Sequence, residues 1–210
     1  MKPKILAPKI KITEKATFIS CANNNSYSNV EINQNPSALI TIENTSFDSC
    51  QFYGIDFTEN FVIDNINIYD CIFENCDLSN IEFNARGIHR CIFKNCKLMG
   101  TNFYTSSLSN IVFNEVNALY INFANCDLKN ISITNSIFKG CNMMETTTKI
   151  LLLDNVDFRE AEIYKTDLTD VDFSNSNIDG ITIDIASLKG IKVNSFQAMS
   201  LATLLGIKVV

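Results

Sequence analysis

The chain has no tryptophan, one histidine, three prolines and seven glycines in 210 residues. A single histidine excludes paired-histidine metal or proton-relay chemistry. No continuous apolar run is long enough to read as a membrane-spanning helix. No glycine-rich phosphate loop, metal-ligand cluster or nucleophile elbow is present, so neither an enzyme nor a bound cofactor or metal is expected. The opening MKPKILAPKIKITEK lacks a continuous apolar core and a small-residue cleavage site. It reads as a basic arm rather than a signal peptide, which makes the cytoplasm the expected location. So few glycines and prolines in a chain of many turns predict corners built from ordinary residues in ordinary backbone regions.

Cysteine, phenylalanine and asparagine are plentiful, and their placement is periodic. From Ile63 to Val193 an apolar residue recurs at every fifth position, through Ile68, Phe73, Leu78, Phe83, Ile88, Phe93 and onward, with only Ala118 and Thr148 weak. Two residues before each centre sits a second small or apolar residue, among them Cys71, Cys76, Cys91, Cys96, Ile111 and Cys126. A period of five fits neither a helix nor a simple strand. Charge checks the assignment: at these two inward classes the only charged residue in the span is Arg86. Short tandem units that bury a face only by stacking form a solenoid. Two inward residues per five, with a corner every five, give a square coil of twenty residues. Coils stacked roughly 4.8 Å apart would place Cys71 under Cys91 and Cys76 under Cys96. These thiols are expected to be reduced, structural core residues. His89 falls on an outward position with no orienting partner and reads as a surface residue.

The strings CIFEN-CDLSN (71–80), CIFKN-CKLMG (91–100), NCDLKN (125–130) and TDLTDVDFSNSNI (166–178) resemble the pentapeptide-repeat family. The resemblance covers residues 42–193 and implies an all-β fold, a right-handed quadrilateral β-helix, with a short C-terminal α-helix. The C-terminal LKGIKVNSFQAMSLATLLGIKVV resembles the ending of the quinolone-resistance, Qnr-type members, matching at Leu188, Gly190, Val193, Gln197, Ala198, Leu205, Gly206, Ile207 and Val209. CQFY at Cys50–Tyr53 and IFENCDLSNIEF at 72–83 resemble the same group. That resemblance implies a homodimer that binds DNA gyrase or topoisomerase IV as a DNA mimic and protects it from quinolones, without itself binding nucleic acid or membrane.

Charge agrees with this expectation. Residues 1–41 carry five lysines against Glu14 and Glu31, whereas 42–193 carry 21 acids against 11 bases. An acidic body argues against ordinary nucleic-acid binding and suits a basic partner. Nine acids concentrate in one segment and all face outward by the register: Asp154, Asp157, Glu160, Glu162, Asp167, Asp170, Asp172, Asp179 and Asp184. They form the candidate partner-binding surface. The competing reading is a generic β-helical scaffold for another protein, with no topoisomerase activity, whose contact would be the apolar outward stripe Ile72, Ile92, Val112, Ser132 and Leu152.

The repeat fails in two places. Phe57 to Ile63 is six residues rather than five, so one residue must bulge near 54–62, with Gly54, Asp56, Glu59 and Asn60 as candidate bulge residues. Projecting loops matter for protection in some members of the resembled group, and here a one-residue slip is the only length anomaly. After 193 the beat stops, and FQAMSLATLLG reads as a short helix ending at Gly206, followed by a strand-like IKVV. Phe196, Met199, Leu204, Leu205, Ile207 and Val209 are the expected dimer contacts. The chain thus divides into a basic arm and irregular polar segment (1–41), the β-helix (42–193) and a C-terminal dimerisation segment (194–210).

Overall fold

The structure, a computed structural model, describes residues 5–18, 26–83 and 87–208. It is a parallel β-solenoid of about eight turns closed by one short helix. At roughly 4.8 Å per turn the rod is about 38 Å long. Every strand pair is parallel, and the register steps by twenty: Ile88 pairs with Leu108, Leu108 with Leu128, and Leu128 with Thr148. The inward residues form one continuous core. Phe52, Phe73, Phe93 and Phe113 stack face to face at centroid distances of 4.7, 4.9 and 5.2 Å. Phe83, Phe103 and Phe123 make a second column at 4.8 and 5.5 Å. These spacings are the coil rise itself, so each ring covers the one below. Arg86 lies outside the described residues.

The second inward position, packed against the coil beneath, is either aliphatic, as at Ile111 and Ile131, or a small Cys, Ser or Thr. Its hydroxyl or thiol donates to a carbonyl of that coil, as in Thr101 Oγ1 to Leu78 O at 2.9 Å and Thr146 Oγ1 to Phe123 O at 2.7 Å. Ser106 and Cys126 do the same to Phe83 and Phe103. Seven cysteines are buried free thiols, and Cys21 lies outside the described residues. Burial raises the thiol pKa of Cys71 and Cys141 and pushes Cys126 up to about 12, while the hydrogen bond to Cys76, with burial, raises that of Cys96, which keeps these sulfurs protonated and inert.

The corners differ from expectation. They sit not in ordinary backbone regions but in the left-handed one, and twelve of the twenty-three non-glycine residues there are asparagine. Asparagine tolerates this region best among residues with a side chain, so the chain can turn at every fifth residue with few glycines. Gly140 shows where asparagine would not serve. Its φ is +67°, and a Cβ there would lie 2.5 Å from the Tyr120 ring of the coil below. Gly140→Ala should cost about 1–3 kcal/mol in urea unfolding, and removing the ring with Tyr120→Ala should recover the steric part.

The residue just before each centre selects the face type. At several Asp and Asn positions its side chain accepts the backbone N–H two residues on: Asp77 from Ser79 at 3.1 Å, Asn102 from Tyr104, Asn122 from Ala124 and Asn142 from Met144, each at 3.0 Å, whereas Asn67 lies within a strand and the buried Asn117 Oδ1 accepts no bond. These Asx-capped faces form tight turns with isolated bridges. Where it is Ile72, Ile92, Val112, Ser132 or Leu152, the chain runs as paired strands, lengthening to Thr147–Asp157. The apolar stripe is thus a strand-forming column, half-buried and in register. Asp127 is an exception. It lies within a strand, and its carboxylate accepts Thr147 Oγ1 at 2.9 Å.

The solenoid starts before residue 42. Ser26–Ser28 pairs with Ser46–Asp48, and Val30–Ile32 with Gln51–Tyr53, twenty residues apart, burying Tyr27, Val30 and Ile32. The segment read as irregular therefore supplies a coil from residue 26 on. Asparagine-rich sequence here marks corners rather than a loop. The basic arm is docked as well. Glu14–Lys15 pairs with Val30–Glu31, and residues 5–13 run back along the rod. Lys9 N donates to Asp70 Oδ1 at 2.8 Å and Leu6 N to Asn110 Oδ1 at 3.1 Å. Asp70 and Asn110 are outward residues that the arm leaves only 5% and 4% exposed.

Candidate functional site

The acids can be placed by face, since residues twenty apart share one. Asp167 and Asp170 lie on the first face, Asp154 and Asp172 on the second, Asp157, Glu160 and Asp179 on the third, and Glu162 and Asp184 on the fourth. They encircle the last turns of the rod instead of forming one stripe. Seven are exposed; Asp157 and Asp184 are half-buried.

Their hydrogen bonds divide them into two groups. Asp157, Asp167 and Asp172 are turn caps, accepting the N–H of Arg159 at 3.1 Å, Thr169 at 3.0 Å and Ser174 at 2.9 Å. Asp184 accepts Lys165 N at 3.2 Å and Ser187 N at 3.3 Å. The hydroxyls of Thr169, Ser174 and Ser187, helped by these N–H bonds, hold Asp167, Asp172 and Asp184 below the usual carboxylate range, and for Asp157 the Arg159 guanidinium, bound at 2.9 and 2.7 Å, is the largest cause. The remaining five cap no turn. Glu160 pairs with Lys139 and Asp170 with Lys192, both at 2.9 Å, and Asp154 accepts Asn175 Nδ2. Sequence reasoning counted nine equivalent acids; the Asp-x-Thr, Asp-x-Ser and Asp-x-Arg spacings were the available signal that three serve the fold.

The register slip is a tight corner. Pairs that straddle it are 21 apart, such as Ile40 with Phe61 and Asp56 with Asp77, and those beyond it are 20 apart, such as Asp77 with Lys97. The extra residue is therefore absorbed at 57–60. Asp56 caps this corner through Thr58 N at 2.9 Å and Thr58 Oγ1 at 2.6 Å, while Asn60 takes the left-handed conformation and donates to Pro36 O at 3.3 Å. Glu59 is exposed at the tip, and Gly54 turns with φ +66° one corner earlier.

At the other end, the helix Ser195–Leu204 starts with a full capping box between Asn194 and Gln197. Gln197 Nε2 donates to Phe173 O at 2.9 Å and Ser176 O at 2.7 Å, and Leu201 is buried with it. The helix thereby covers the open edge of the last coil. Phe196, Met199, Leu204, Leu205 and Ile207 point outward, Phe196 with 76% of its surface exposed. Ile207 and Lys208 form no strand, and Val209 lies outside the described residues. His89 is half-buried rather than solvated. It lies within a strand with Nδ1 against Ser109 Oγ, and burial together with Arg90 lowers its pKa. Among the described residues no three His, Cys, Asp or Glu side chains converge to hold a metal, and no helix is long and apolar enough to cross a membrane.

A four-sided coil with a twenty-residue register, an inward Phe and Leu column and Asx-capped corners defines a five-residue-repeat solenoid. Residues 66–136 match the family pattern described as pentapeptide repeat region, and 152–182 that described as pentapeptide repeats (8 copies). The chain belongs with the pentapeptide-repeat proteins. Among solved structures it is similar to HetL, a pentapeptide repeat protein involved in heterocyst differentiation regulation from the cyanobacterium Nostoc sp. strain PCC 7120. Identity is 12%, coverage 81% of this chain and 90% of that one, and TM-score 0.54. Full-length QnrB1, a plasmid-mediated fluoroquinolone resistance protein, aligns at 18% identity over 94% of this chain and 97% of that one, with a TM-score of 0.35. A comparison with curated proteins gives no match.

Proposed function

We propose that this chain is a DNA-mimicking pentapeptide-repeat protein that acts in the cytoplasm, binds DNA gyrase or topoisomerase IV and protects it from quinolones. The observation that carries the reading is the ring of acids on the last turns of a stiff rod, directly beside a helix that presents Phe196, Met199, Leu204, Leu205 and Ile207 to solvent. A second copy meeting that helix end would bring two acidic rings together at the middle of a longer rod. The Qnr-like C-terminal string supports the same reading.

The test is a gyrase supercoiling and cleavage assay with and without a quinolone, titrating this protein. Charge reversal should avoid the turn caps, because lysine at Asp157 or Asp172 would damage the fold as well as the charge. Asp154, Glu160, Glu162 and Asp179 cap nothing, and changing all four to lysine should raise the protective concentration about tenfold or more while leaving the circular dichroism spectrum unchanged. Failure of the unmodified protein to associate with gyrase even at low salt, where charge attraction is least screened, would sink the proposal. A second reading, a scaffold for another protein, is favoured by one observation: several of the acids are already spent on turns and ion pairs.

A further inference from the structure

The coil stack parts on one face. Between Asp127–Ile137 and Thr147–Asp157 the strands pair along their whole length except at the corner positions 130/150 and 135/155, including Ile131 with Leu151, Ser132 with Leu152 and Ile133 with Leu153. On the other side of Thr147–Asp157 no backbone hydrogen bond joins 149–153 to 168–173. The coils are hydrogen-bonded at the flanks, by Thr148 Oγ1 on Asp167 O on one side and by Asn155 N on Asn175 O at 3.0 Å and Asn175 Nδ2 on Asp154 Oδ1 on the other. The cause is legible in the sequence. Asp167 and Asp172 stand where the strand column has Thr147 and Leu152, so the coil above switches to Asx-capped turns and cannot follow the strand below. The result is a cleft of about 250 Å³ lined by Thr148, Ile150, Leu152, Asp167, Asp170 and Val171. At its mouth Ile150 holds φ +66°, the only Ile, Val or Leu among the described residues with a positive φ. A β-branched side chain in that region is costly and persists only where its surroundings impose it.

We propose that this cleft is a docking site for a short extended peptide of a partner protein, with an apolar side chain between Ile150 and Val171 and a basic residue against the exposed Asp167 and Asp170, taking the place of Lys192 on Asp170. An unpaired strand edge offers its N–H and C=O groups to an added strand, and the only charged residues lining the cleft are acidic. The same corner column already receives an extended basic and apolar chain lower down, where Asp70 and Asn110 accept the N–H groups of Lys9 and Leu6. The proposal is independent of any action on topoisomerases.

The probe is acetyl-Lys-Ile-Val-Ile-Lys-amide added to the full chain, read by amide hydrogen exchange and by fluorescence anisotropy of a labelled copy. The expected result is binding with slowed exchange at 150–153. It should be lost when the central peptide amides are N-methylated, because they can no longer pair with the edge. Ile150→Asn places the residue that best tolerates the left-handed region at the same corner, so the melting temperature should rise while affinity falls about tenfold. No binding at about 1 mM peptide, protection elsewhere on the rod, or affinity unchanged by Ile150→Asn would each overturn the assignment. So would protection at 150–153 that grows with protein concentration alone, since the occupant would then be a second copy.

Discussion

Phe93→Ala is expected to cost about 3–5 kcal/mol of unfolding free energy, the range for emptying a fully buried aromatic site. Phe93 is 0% exposed and sits in mid-column, with Phe73 at 4.9 Å below and Phe113 at 5.2 Å above. Neither ring can collapse into the space, because each is held at the coil rise by the backbone ladders of its own turn. A solenoid couples each turn mainly to its neighbours, so one cavity in the middle weakens the link between two half-rods. Urea unfolding followed by circular dichroism checks this. A lower midpoint with unchanged slope means that the rod still unfolds as one unit, and two transitions mean that it has divided. A loss below about 1 kcal/mol would show that the column is not the chief source of cohesion.

Asp70→Ala should be the most damaging change on the outside of the rod, at about 2–3 kcal/mol at neutral pH. The Asp70 carboxylate is almost fully buried, takes both guanidinium arms of Arg90, with Nε at 2.6 Å, and accepts the arm through Lys9 N at 2.8 Å. Alanine strands Arg90 and removes the middle anchor of residues 5–13, which stay tied at Leu6 and Thr13. The pH dependence has a definite sign. Arg90 and the Lys9 N–H hold the carboxyl below its ordinary value, so the unfolded state takes up the proton first as pH falls. The contribution is complete above about pH 4 and is lost as pH drops through the depressed folded value. Wild type and variant should therefore differ in melting temperature at pH 7 and converge in strong acid. A difference that does not change with pH would assign the cost to packing alone.

Most of the coil was legible in the sequence because its rule is local and strict. An inward residue every fifth place admits no charge without breaking the stack, and from Ile63 to Val193 none of the described inward residues carries one. What escaped depended on contacts between turns. The coil from Ser26 onward is out of phase with the later repeat, so Tyr27, Val30 and Ile32 did not announce themselves as core. The docking of Lys9 and Leu6 needs Asp70 and Asn110 at the same corner two turns apart, which only the twenty-residue register reveals. The helix was foreseen, but not the face it turns inward: Gln197 closes the coil through two carbonyls, an anchor that an apolar pattern cannot show. The acids were counted correctly, yet their division into turn caps and uncommitted charges rests on which N–H each one accepts.

The corner at 57–60 carries a consequence for how such a chain can change its length. One added residue moved every pairing across it from 20 to 21 and was confined to a single corner, with the columns on either side still aligned. A duplication of twenty residues would keep the register, because each inward residue would then stack on its own copy. Whole turns are thus the unit by which the rod can grow without disturbing its columns. Each step would alter the distance between the two ends, and with it the span of any partner they grip, while leaving the interior chemistry as it was.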